Sequence, residues 1–239
     1  MSSEVLSLAE IASKYDQMFA RGELLETESF YRWVLKRLSP SPRATLLDIS
    51  CGEGYLLQLA SRLYNLDVWG IDISTVALRN SRQNVPSVKL ARCDGISLPF
   101  PDNTFQYVTN LGSLEHYTNI SQGIREIARV LKPEGRTAIL LPNSYYVIDI
   151  IWKVWRTGYS PSHRQPLERF ATVGEWKDML TEGGINVTHI YAYNFHFPVL
   201  RRDLQWFRKR PRRFLFLLIK PLVPFNLSYC FLFVGRKHI

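Results

Sequence analysis

The chain has 239 residues, of which 46% are hydrophobic and 21% charged, and its 13 glycines and 13 prolines are ordinary numbers for that length. This composition excludes a disordered or fibrous chain and is typical of one globular domain. The net charge of +9 is local, because residues 196–239 hold 10 Lys or Arg and one acid whereas residues 1–195 hold 20 of each sign. The basic excess therefore belongs to the C-terminal part alone.

Cysteine usage indicates a reducing compartment, and the chain has no apolar run long enough to span a bilayer. The three cysteines, Cys51, Cys93 and Cys230, are odd in number and lack metal-ligand spacing, so they predict no disulfide framework. Residues 1–20 carry acids where a signal peptide has a basic leader, and no apolar run reaches the ~18 residues that span a bilayer. We therefore expect a cytoplasmic protein.

Two amphipathic helices are predicted before the first strand. Apolar residues recur at helical spacing over residues 8–19, and again over residues 30–38 after a potential cap at Thr27. Pro40 and Pro42 end the second helix.

Residues 46–57 have the pattern of a strand, a tight turn and a helix. An apolar run containing Asp48 passes into a small-residue loop with Gly52 and Gly54, and helix-period apolar residues follow. Glycine allows positive φ and close approach of a ligand, while the N-terminus of the helix directs unpaired N–H groups at it. Alone, this segment predicts a nucleotide-like ligand.

A second strand is predicted over residues 67–73, and its carboxylate Asp72 falls 18 residues after Gly54. At the end of the neighbouring parallel strand, such a carboxylate can accept both hydrogen bonds of a ribose diol. The alternative is that Asp72 only caps the next helix, a role that Ser74 can also fill.

Strands and helices continue to alternate along the rest of the chain. We predict helices at 75–83 and 120–131, a helix starting with a capping box at Thr172 and Glu175, and strands at 87–92, 105–111, 136–141, 185–193 and 228–235. This order is typical of an α/β fold.

On these motifs, and on the helix-to-strand connection at residues 125–135, the chain resembles the class I S-adenosylmethionine-dependent methyltransferases, especially their small-molecule and quinone methyltransferase-like branch with the type 11 methyltransferase domain. The resemblance runs over about residues 46–142. It implies a Rossmann-like, seven-stranded, mostly parallel sheet with helices on both faces, an antiparallel last strand and an N-terminal helical lid. We expect one domain over 1–239, with a lid at 1–42, a cofactor-binding core at 43–142 and an acceptor side at 143–239.

The resemblance also implies S-adenosylmethionine as the cofactor. Asp94 would accept a hydrogen bond from the adenine amino group, and Tyr15 in the lid would lie over the methionine moiety unless it is a core residue. Members of the family usually carry glycine where this chain has Ser50. The expected cofactor-binding residues are Tyr15, Asp48, Ser50, Gly52, Gly54, Asp72, Ile73, Asp94, Gly95, Ile96 and Asn110.

Glu115 and His116 follow the fourth strand and leave two interpretations open. His116 could act as a catalytic base whose tautomer Glu115 fixes, since histidine titrates near neutral pH. Alternatively, both are structural residues, which is favoured because Leu-Glu-His occurs in the branch whatever the substrate. Some quinone methyltransferases bind a divalent cation through an acid three residues before this glutamate; Gly112 stands there, so no metal site is expected.

Two segments on the acceptor side suggest contact with a hydrophobic surface. Residues 145–155 form a helical pattern that is apolar almost all round, which requires burial, oligomerisation or lipid contact. Residues 201–213 hold seven basic residues among aromatic ones, and the apolar run 214–219 follows, within an insertion at about 195–227. This is the composition of an interfacial segment on anionic lipid. The alternatives are a helix packed on its own sheet and a nucleic-acid surface, for which the run is too apolar.

We therefore expect methyl transfer to a small or lipid-linked hydrophobic acceptor, with peripheral attachment to the inner face of the membrane. One alternative acceptor is a soluble metabolite, glycan or RNA. A catalytically silent membrane adaptor is a second alternative. A nicotinamide-dependent oxidoreductase would require a third glycine, where Leu57 stands.

Overall fold

The computed structural model describes residues 7–22, 24, 26–160 and 167–238, and it contains one seven-stranded sheet. The strands are β1 (Thr45–Ile49), β2 (Asp67–Asp72), β3 (Lys89–Arg92), β4 (Phe105–Leu111), β5 (Leu131–Pro142), β6 (Ile185–Tyr193) and β7 (Cys230–Lys237). Their order in the sheet is β3-β2-β1-β4-β5-β7-β6. Strand β7 is antiparallel to β5 and β6, and the other neighbouring strands are parallel. The predicted fold class is confirmed.

Helices cover both faces of this sheet. They are α1 (Leu8–Ala20), α2 (Glu28–Leu38), α3 (Tyr55–Tyr64), α4 (Thr75–Asn84), α5 (Ile120–Val130), α6 (Val147–Asp149), α7 (Trp155–Thr157), α8 (Val173–Glu182), α9 (Arg201–Arg208) and α10 (Pro211–Ile219). A π-helical turn at Ile150–Val154 joins α6 to α7, and a 3₁₀ turn at Leu114–His116 follows β4.

Side-chain caps start several helices at the positions that the sequence predicts. The hydroxyl of Thr27 accepts a hydrogen bond from the N–H of Phe30 at the start of α2. Thr172 and Glu175 form a capping box at the start of α8, in which each side chain accepts from the other residue's N–H. Such caps satisfy N–H groups that lack partners within the helix, and each is worth about 1 kcal/mol.

Alternate residues of the strands pack into two buried clusters, one on each face. Leu46 of β1 joins the cluster under α2 and α3, whereas Leu47 joins the cluster under α5 and α8. Both side chains are fully buried. Because β1 lies between β2 and β4, the crossovers from it diverge to opposite faces and leave a crevice beyond its carboxyl end.

Two elements differ from the prediction. Strand β5 starts at Leu131 and not at Arg136, because Leu131 already pairs with Phe105 ahead of an irregularity in the ladder. The apolar helix predicted at 145–155 is a helical segment from Val147 to Thr157 interrupted by its π-helical turn, and it is not buried. Trp152 and Trp155 are 61% and 80% exposed.

The C-terminal insertion folds as two helices that pack against the body of the domain. Trp206 and Phe207 of α9, and Phe216 and Leu217 of α10, are buried in the same cluster as α2 and α3. The side chains of Arg212 and Leu215 lie outside the described part of the chain. Each insertion helix therefore packs one face on the body of the domain, as the alternative of a helix packed on its own sheet predicts for that face.

Within the described ranges, none of the helices combines the length and apolar character that crossing a bilayer demands.

Candidate active site

A cavity of about 480 Å³ opens beyond the carboxyl ends of β1, β2 and β4. At one end, called here the loop end, it is lined by the loop after β1 together with Asp72 and Asp94. At the other, called here the insertion end, it is lined by Glu26, Tyr193, Arg210, Arg213 and Tyr229. The cavity thus lies where α/β sheets bind their ligands.

The loop after β1 requires three left-handed residues within five positions. Ser50, Gly52 and Gly54 have φ of +59°, +52° and +75°. A side chain at Gly54 would also overlap the Ser81 hydroxyl. Ser50 adopts a conformation that glycine takes without strain, which explains the glycine usual in the resembled family. Its hydroxyl lies 3.2 Å from that of Tyr117, a contact that glycine cannot make.

Asp72 braces the loop and faces the cavity. One carboxylate oxygen accepts a hydrogen bond from the N–H of Gly52 and the other from the N–H of Ser74, both at 2.9 Å. The cap of α4 is Ser74, whose hydroxyl accepts from Ala77. Burial raises the pKa of Asp72 to about 6, against the effect of these hydrogen bonds. Each oxygen keeps acceptor capacity, so the carboxylate fits a pair of neighbouring hydroxyl donors.

Asp48 is a second buried carboxyl on the cavity wall. The hydroxyl of Thr109 on β4 donates to it at 2.6 Å. Burial nevertheless raises its pKa to about 7, and the nearby Asp72 adds to that rise. The two carboxyls are desolvated by the same fold feature, the crevice between β1 and its neighbours.

The segment after β3 provides the remaining polar group of the loop end. Asp94 lines the cavity and accepts a hydrogen bond from the N–H of Ile96 at 3.2 Å. Gly95 packs against the ring of Tyr117 so closely that a Cβ there would lie 2.6 Å from ring carbon Cε2. The position is therefore restricted to glycine by a close side-chain approach.

The structure separates the predicted cofactor residues into two groups. On the cavity wall lie Tyr15, Asp48, Ser50, Gly52, Asp72, Ile73, Asp94 and Gly95. Gly54, Ile96 and Asn110 are not on the wall. Asn110 is buried and donates to the Tyr117 hydroxyl at 3.0 Å while accepting from the N–H of Leu114.

Tyr117 is a wall residue that sequence reasoning missed. Its hydroxyl is fixed by Ser50 and Asn110, and its ring closes over Gly95. It is the first residue after the Leu-Glu-His triplet. That adjacency was the only available signal, since its partners lie on three different segments.

Helix α1 covers the loop end of the cavity, in agreement with the lid expected there. Tyr15, Met18 and Phe19 face the cavity, and the Phe19 ring lies where a Cβ on Gly52 would approach it to 3.1 Å. Asp16 holds the helix in place by accepting hydrogen bonds from the Ser74 hydroxyl and from the N–H of Val76.

His116 lies on the cavity wall with a defined tautomer. Its Nδ1 contacts the carbonyl oxygen of Leu167, which can only accept, so Nδ1 carries a proton. In neutral imidazole the lone pair is then on Nε2, which lies 3.6 Å from a carboxyl oxygen of Glu115. Burial raises the pKa of Glu115 to about 8. This geometry is compatible with His116 acting as a base through the lone pair on its Nε2.

Gly112 has φ of +69° and carries no ligand group. Within the described ranges, His, Cys, Asp and Glu side chains form no group of three that could hold a metal ion.

The loop end fits the cofactor that the sequence implies. The fit rests on Asp72, which lines the cavity and accepts from the N–H groups of Gly52 and Ser74. It also rests on the left-handed residues Ser50 and Gly52, which lie on the cavity wall. Residues that would hold the cofactor are Asp72 at the ribose, Asp94 at the adenine and Ser50 and Gly52 at the methionine part.

Comparison with known proteins gives the same class. A family model described as a methyltransferase domain matches residues 47–139. The chain is 32% identical over 149 residues to the 2-phytyl-1,4-naphtoquinone methyltransferase of Trichormus variabilis, covering 59% of this chain and 65% of that one. It is 35% identical over 138 residues to the demethylmenaquinone methyltransferase of Corynebacterium kroppenstedtii, covering 54% and 58%.

A solved structure shares the fold over almost the whole chain. It is the phosphoethanolamine N-methyltransferase 2 of Haemonchus contortus in complex with S-adenosyl-L-methionine, with a TM-score of 0.71 and 18% identity, covering 99% of this chain and 61% of that one.

The fold is the one found in that S-adenosylmethionine-bound methyltransferase. The chain spans 65% and 58% of the two curated relatives described above.

The two buried aspartates predict a pH dependence. Because burial raises the pKa of Asp72 to about 6 and of Asp48 to about 7, the native state binds their protons more tightly than the unfolded state. The cofactor-free protein is therefore expected to lose stability as the pH rises from about 4 to about 7. Ribose hydroxyls donate to ionised Asp72, so affinity for S-adenosylhomocysteine should rise with pH, by up to roughly tenfold per unit below pH 6.

Calorimetric titration and thermal melts at pH 5, 6, 7 and 8 would measure both effects. A cofactor-free melting temperature that climbs between pH 5 and 7, or an affinity that stays flat, would contradict the prediction.

Proposed function

We propose that this chain transfers the methyl group of S-adenosylmethionine to a small hydrophobic acceptor. The observation that carries the proposal is one continuous cavity, with carboxylates and a left-handed loop at one end and aromatic side chains at the other. The similar proteins named for naphthoquinone and demethylmenaquinone support a hydrophobic acceptor.

The bound cofactor supplies a methyl group activated by its sulfonium, so the protein's task is chiefly alignment and exclusion of water. Asp72 and Asp94 fix the nucleoside, and the loop at Ser50 and Gly52 approaches the methionine part. Tyr15 and Phe19 of the lid close the loop end against solvent. His116 takes the proton of an acceptor hydroxyl on Nε2, while its Nδ1–H continues to donate a hydrogen bond to the Leu167 carbonyl oxygen.

The direct test is transfer of labelled methyl from S-adenosylmethionine into an extract of the source cells, followed by separation into organic and aqueous phases. Label in the organic phase supports the hydrophobic acceptor. Label confined to the aqueous phase favours a soluble metabolite, glycan or RNA. Absence of label in both phases, with S-adenosylhomocysteine still bound, favours the silent adaptor.

His116→Gln tests the base. A general base contributes roughly 10²- to 10⁴-fold to a rate, so we expect methyl transfer to fall at least 100-fold while affinity for S-adenosylhomocysteine stays within threefold. His189→Gln, at an exposed position of β6, is the matched control. If His116→Gln lowers only the melting temperature and leaves the rate nearly unchanged, the structural interpretation of His116 holds.

We further propose that the acceptor side docks on an anionic membrane surface. The helical segment from Val147 to Thr157 exposes Trp152 and Trp155, and the neighbouring insertion exposes Phe214 and Leu218. The Tyr146 and Phe216 rings, 5.5 Å apart, join the two segments. Arginines and lysines on the exposed face of α9 and its C-cap add positive charge beside these apolar side chains, as interfacial segments require.

Point substitutions test this docking, because deletion of the insertion would remove buried core residues. Arg208→Gln with Lys209→Gln should cost about 2 kcal/mol of binding to vesicles containing phosphatidylglycerol, or roughly 30-fold. Trp152→Ser with Trp155→Ser should weaken co-sedimentation further. Leu63→Ser, an exposed apolar position on α3, is the matched control. Equal co-sedimentation of all variants would reject the membrane surface.

A further inference from the structure

The insertion end of the cavity has more positive than negative charge. Arg210 and Arg213, at the N-terminus of α10, line it together with Glu26. The ion pair between Arg213 Nη1 and a Glu26 carboxyl oxygen is long, at 3.9 Å. The other acids of the wall lie in or just after β1, β2, β3 or β4, at the carboxyl ends of these strands. One carboxylate therefore faces two guanidinium groups here.

Aromatic faces hold both guanidinium groups without neutralising them. Arg213 lies 5.0 Å from the ring centre of Phe195 and 5.2 Å from that of Trp206, and Arg210 lies 4.5 Å from the Trp206 ring. Among the described residues, neither side chain donates a hydrogen bond to a protein oxygen. Stacking fixes the plane of a guanidinium and leaves its N–H edge available for a planar or tetrahedral oxyanion.

Two polar atoms beside the arginines are buried, the Tyr193 hydroxyl and Glu26 Oε2. The Tyr193 hydroxyl lies near enough to the Glu26 carboxyl to oppose the rise that burial causes in its pKa, but no hydrogen bond of normal geometry joins them. Tyr193 is only 1% exposed, and its hydroxyl has no hydrogen bond of normal geometry to any described residue. The same is true of Glu26 Oε2. A buried donor without a well-formed hydrogen bond is destabilising. A bound group with several acceptor oxygens would satisfy the tyrosine and both arginines together.

Burial at the insertion end destabilises the charged forms of Glu26 and Arg210. Burial raises the pKa of Glu26 and lowers the pKa of Arg210. The neighbouring positive charge of Arg213 lowers the pKa of Arg210 further. Desolvated cations of like charge repel each other less when an anion lies between them.

We propose that the insertion end binds an anionic oxygen group of the methyl acceptor, a phosphate or a carboxylate, through Arg210, Arg213 and the Tyr193 hydroxyl. The inference deepens the proposed methyl transfer and rests on it, because it concerns the acceptor end of the same cavity. It also separates this acceptor from a bare naphthoquinone ring, which has no anionic group. The basic insertion would then contribute residues to the acceptor site as well as to the proposed membrane-docking surface.

The test uses phenyl phosphate and benzoate as probes, with phenol as the uncharged counterpart. The full chain is first saturated with S-adenosylhomocysteine, and each probe is titrated by calorimetry or NMR. We expect phenyl phosphate or benzoate, but not phenol, to bind. Arg210→Gln and Arg213→Gln should each weaken that binding at least tenfold, and Arg213→Lys less so. Glu26→Gln, which removes the opposing carboxylate, should strengthen it several-fold.

Arg201→Gln, an exposed arginine at the start of α9, is the matched control and should bind like the wild type. The relative affinities of the two anionic probes distinguish phosphate from carboxylate. Equal binding of phenol and the anions overturns the proposal, as does unchanged affinity in both arginine variants. It is also overturned if those variants lose S-adenosylhomocysteine instead, because the arginines would then bind the cofactor's carboxylate.

The two proposals can fail separately. If the wild type binds phenyl phosphate but not S-adenosylhomocysteine, methyl transfer is rejected while the anion site remains. If it binds S-adenosylhomocysteine and neither anionic probe, only the anion site is rejected.

Discussion

Asp72→Asn is expected to weaken the binding of S-adenosylhomocysteine by about 100-fold or more. Hydrogen bonds to a charged group are worth about 1.5–3 kcal/mol each, and a ribose diol makes two with this carboxylate. Asparagine keeps one acceptor and loses the charge. The loop would also lose support, because the two Asp72 oxygens accept from Gly52 and Ser74.

Calorimetric titration measures this effect, and thermal melts show whether the variant remains folded. Asp67→Asn is the matched control, since Asp67 starts the same strand away from the cavity. Its half-buried side chain pairs with Lys89 at 2.8 Å and accepts a hydrogen bond from the Trp69 indole at 3.3 Å. Asp72→Glu keeps the charge but moves it by one methylene, so an intermediate loss is expected. An Asp72→Asn variant that binds within threefold of the wild type would show that the ribose lies elsewhere.

Gly95→Ala is expected to disrupt the site through Tyr117. The new methyl group would overlap a ring that cannot move freely, because Ser50 and Asn110 hold its hydroxyl at 3.2 and 3.0 Å. Overpacking of this kind costs about 1–3 kcal/mol. We expect the melting temperature to fall by about 5 °C and affinity for S-adenosylhomocysteine to fall at least tenfold.

A double variant tests that cause. Tyr117→Ala removes the overlapping ring, so Gly95→Ala should destabilise the protein much less in that background, and the two effects should not add. Gly174→Ala is the matched control, because a Cβ there meets its nearest atom only at 4.0 Å, near the start of α8. Additive effects of Gly95→Ala and Tyr117→Ala would disprove the steric explanation.

Local sequence signals were sufficient for the elements and for the loop end. The strand, turn and helix around Gly52 and Gly54 depend on apolar periodicity and on φ values that few residues accept. Helix caps at Thr27 and Thr172 depend on contacts three residues apart. The order of such elements determines a parallel sheet, and parallel strands bring their carboxyl ends to one edge, so Asp48, Asp72 and Asp94 meet there.

Contacts between distant segments were not predictable in the same way. Tyr117 joins Ser50 after β1, Gly95 after β3 and Asn110 in β4, and no spacing in the sequence connects these three segments. Asn110, near the end of the fourth strand, was expected among the cofactor-binding residues, yet its side chain is turned to Tyr117 and Leu114. Strand ends predict which residues approach a site but not the direction of each side chain.

The insertion shows the same limit. Its composition predicted an interfacial surface, and one face of its helices does expose aromatic and aliphatic side chains. The structure turns Trp206, Phe207, Phe216 and Leu217 into the core instead. A helix of mostly apolar and basic residues has no unique polar face, so only the shape of the surface beneath decides which side is buried.

By itself, the sequence determined the class of fold, the order of its elements and the loop end of the site, because these follow from periodicity, backbone conformation and short-range caps. The tertiary structure alone decided that Arg210 and Arg213 of the insertion meet Glu26 and Tyr193 at the cavity. Those residues are separated by up to 187 positions, and their meeting depends on how α10 packs against the sheet. A charge pattern gives the sign of a surface, whereas the place of each charge is set by packing.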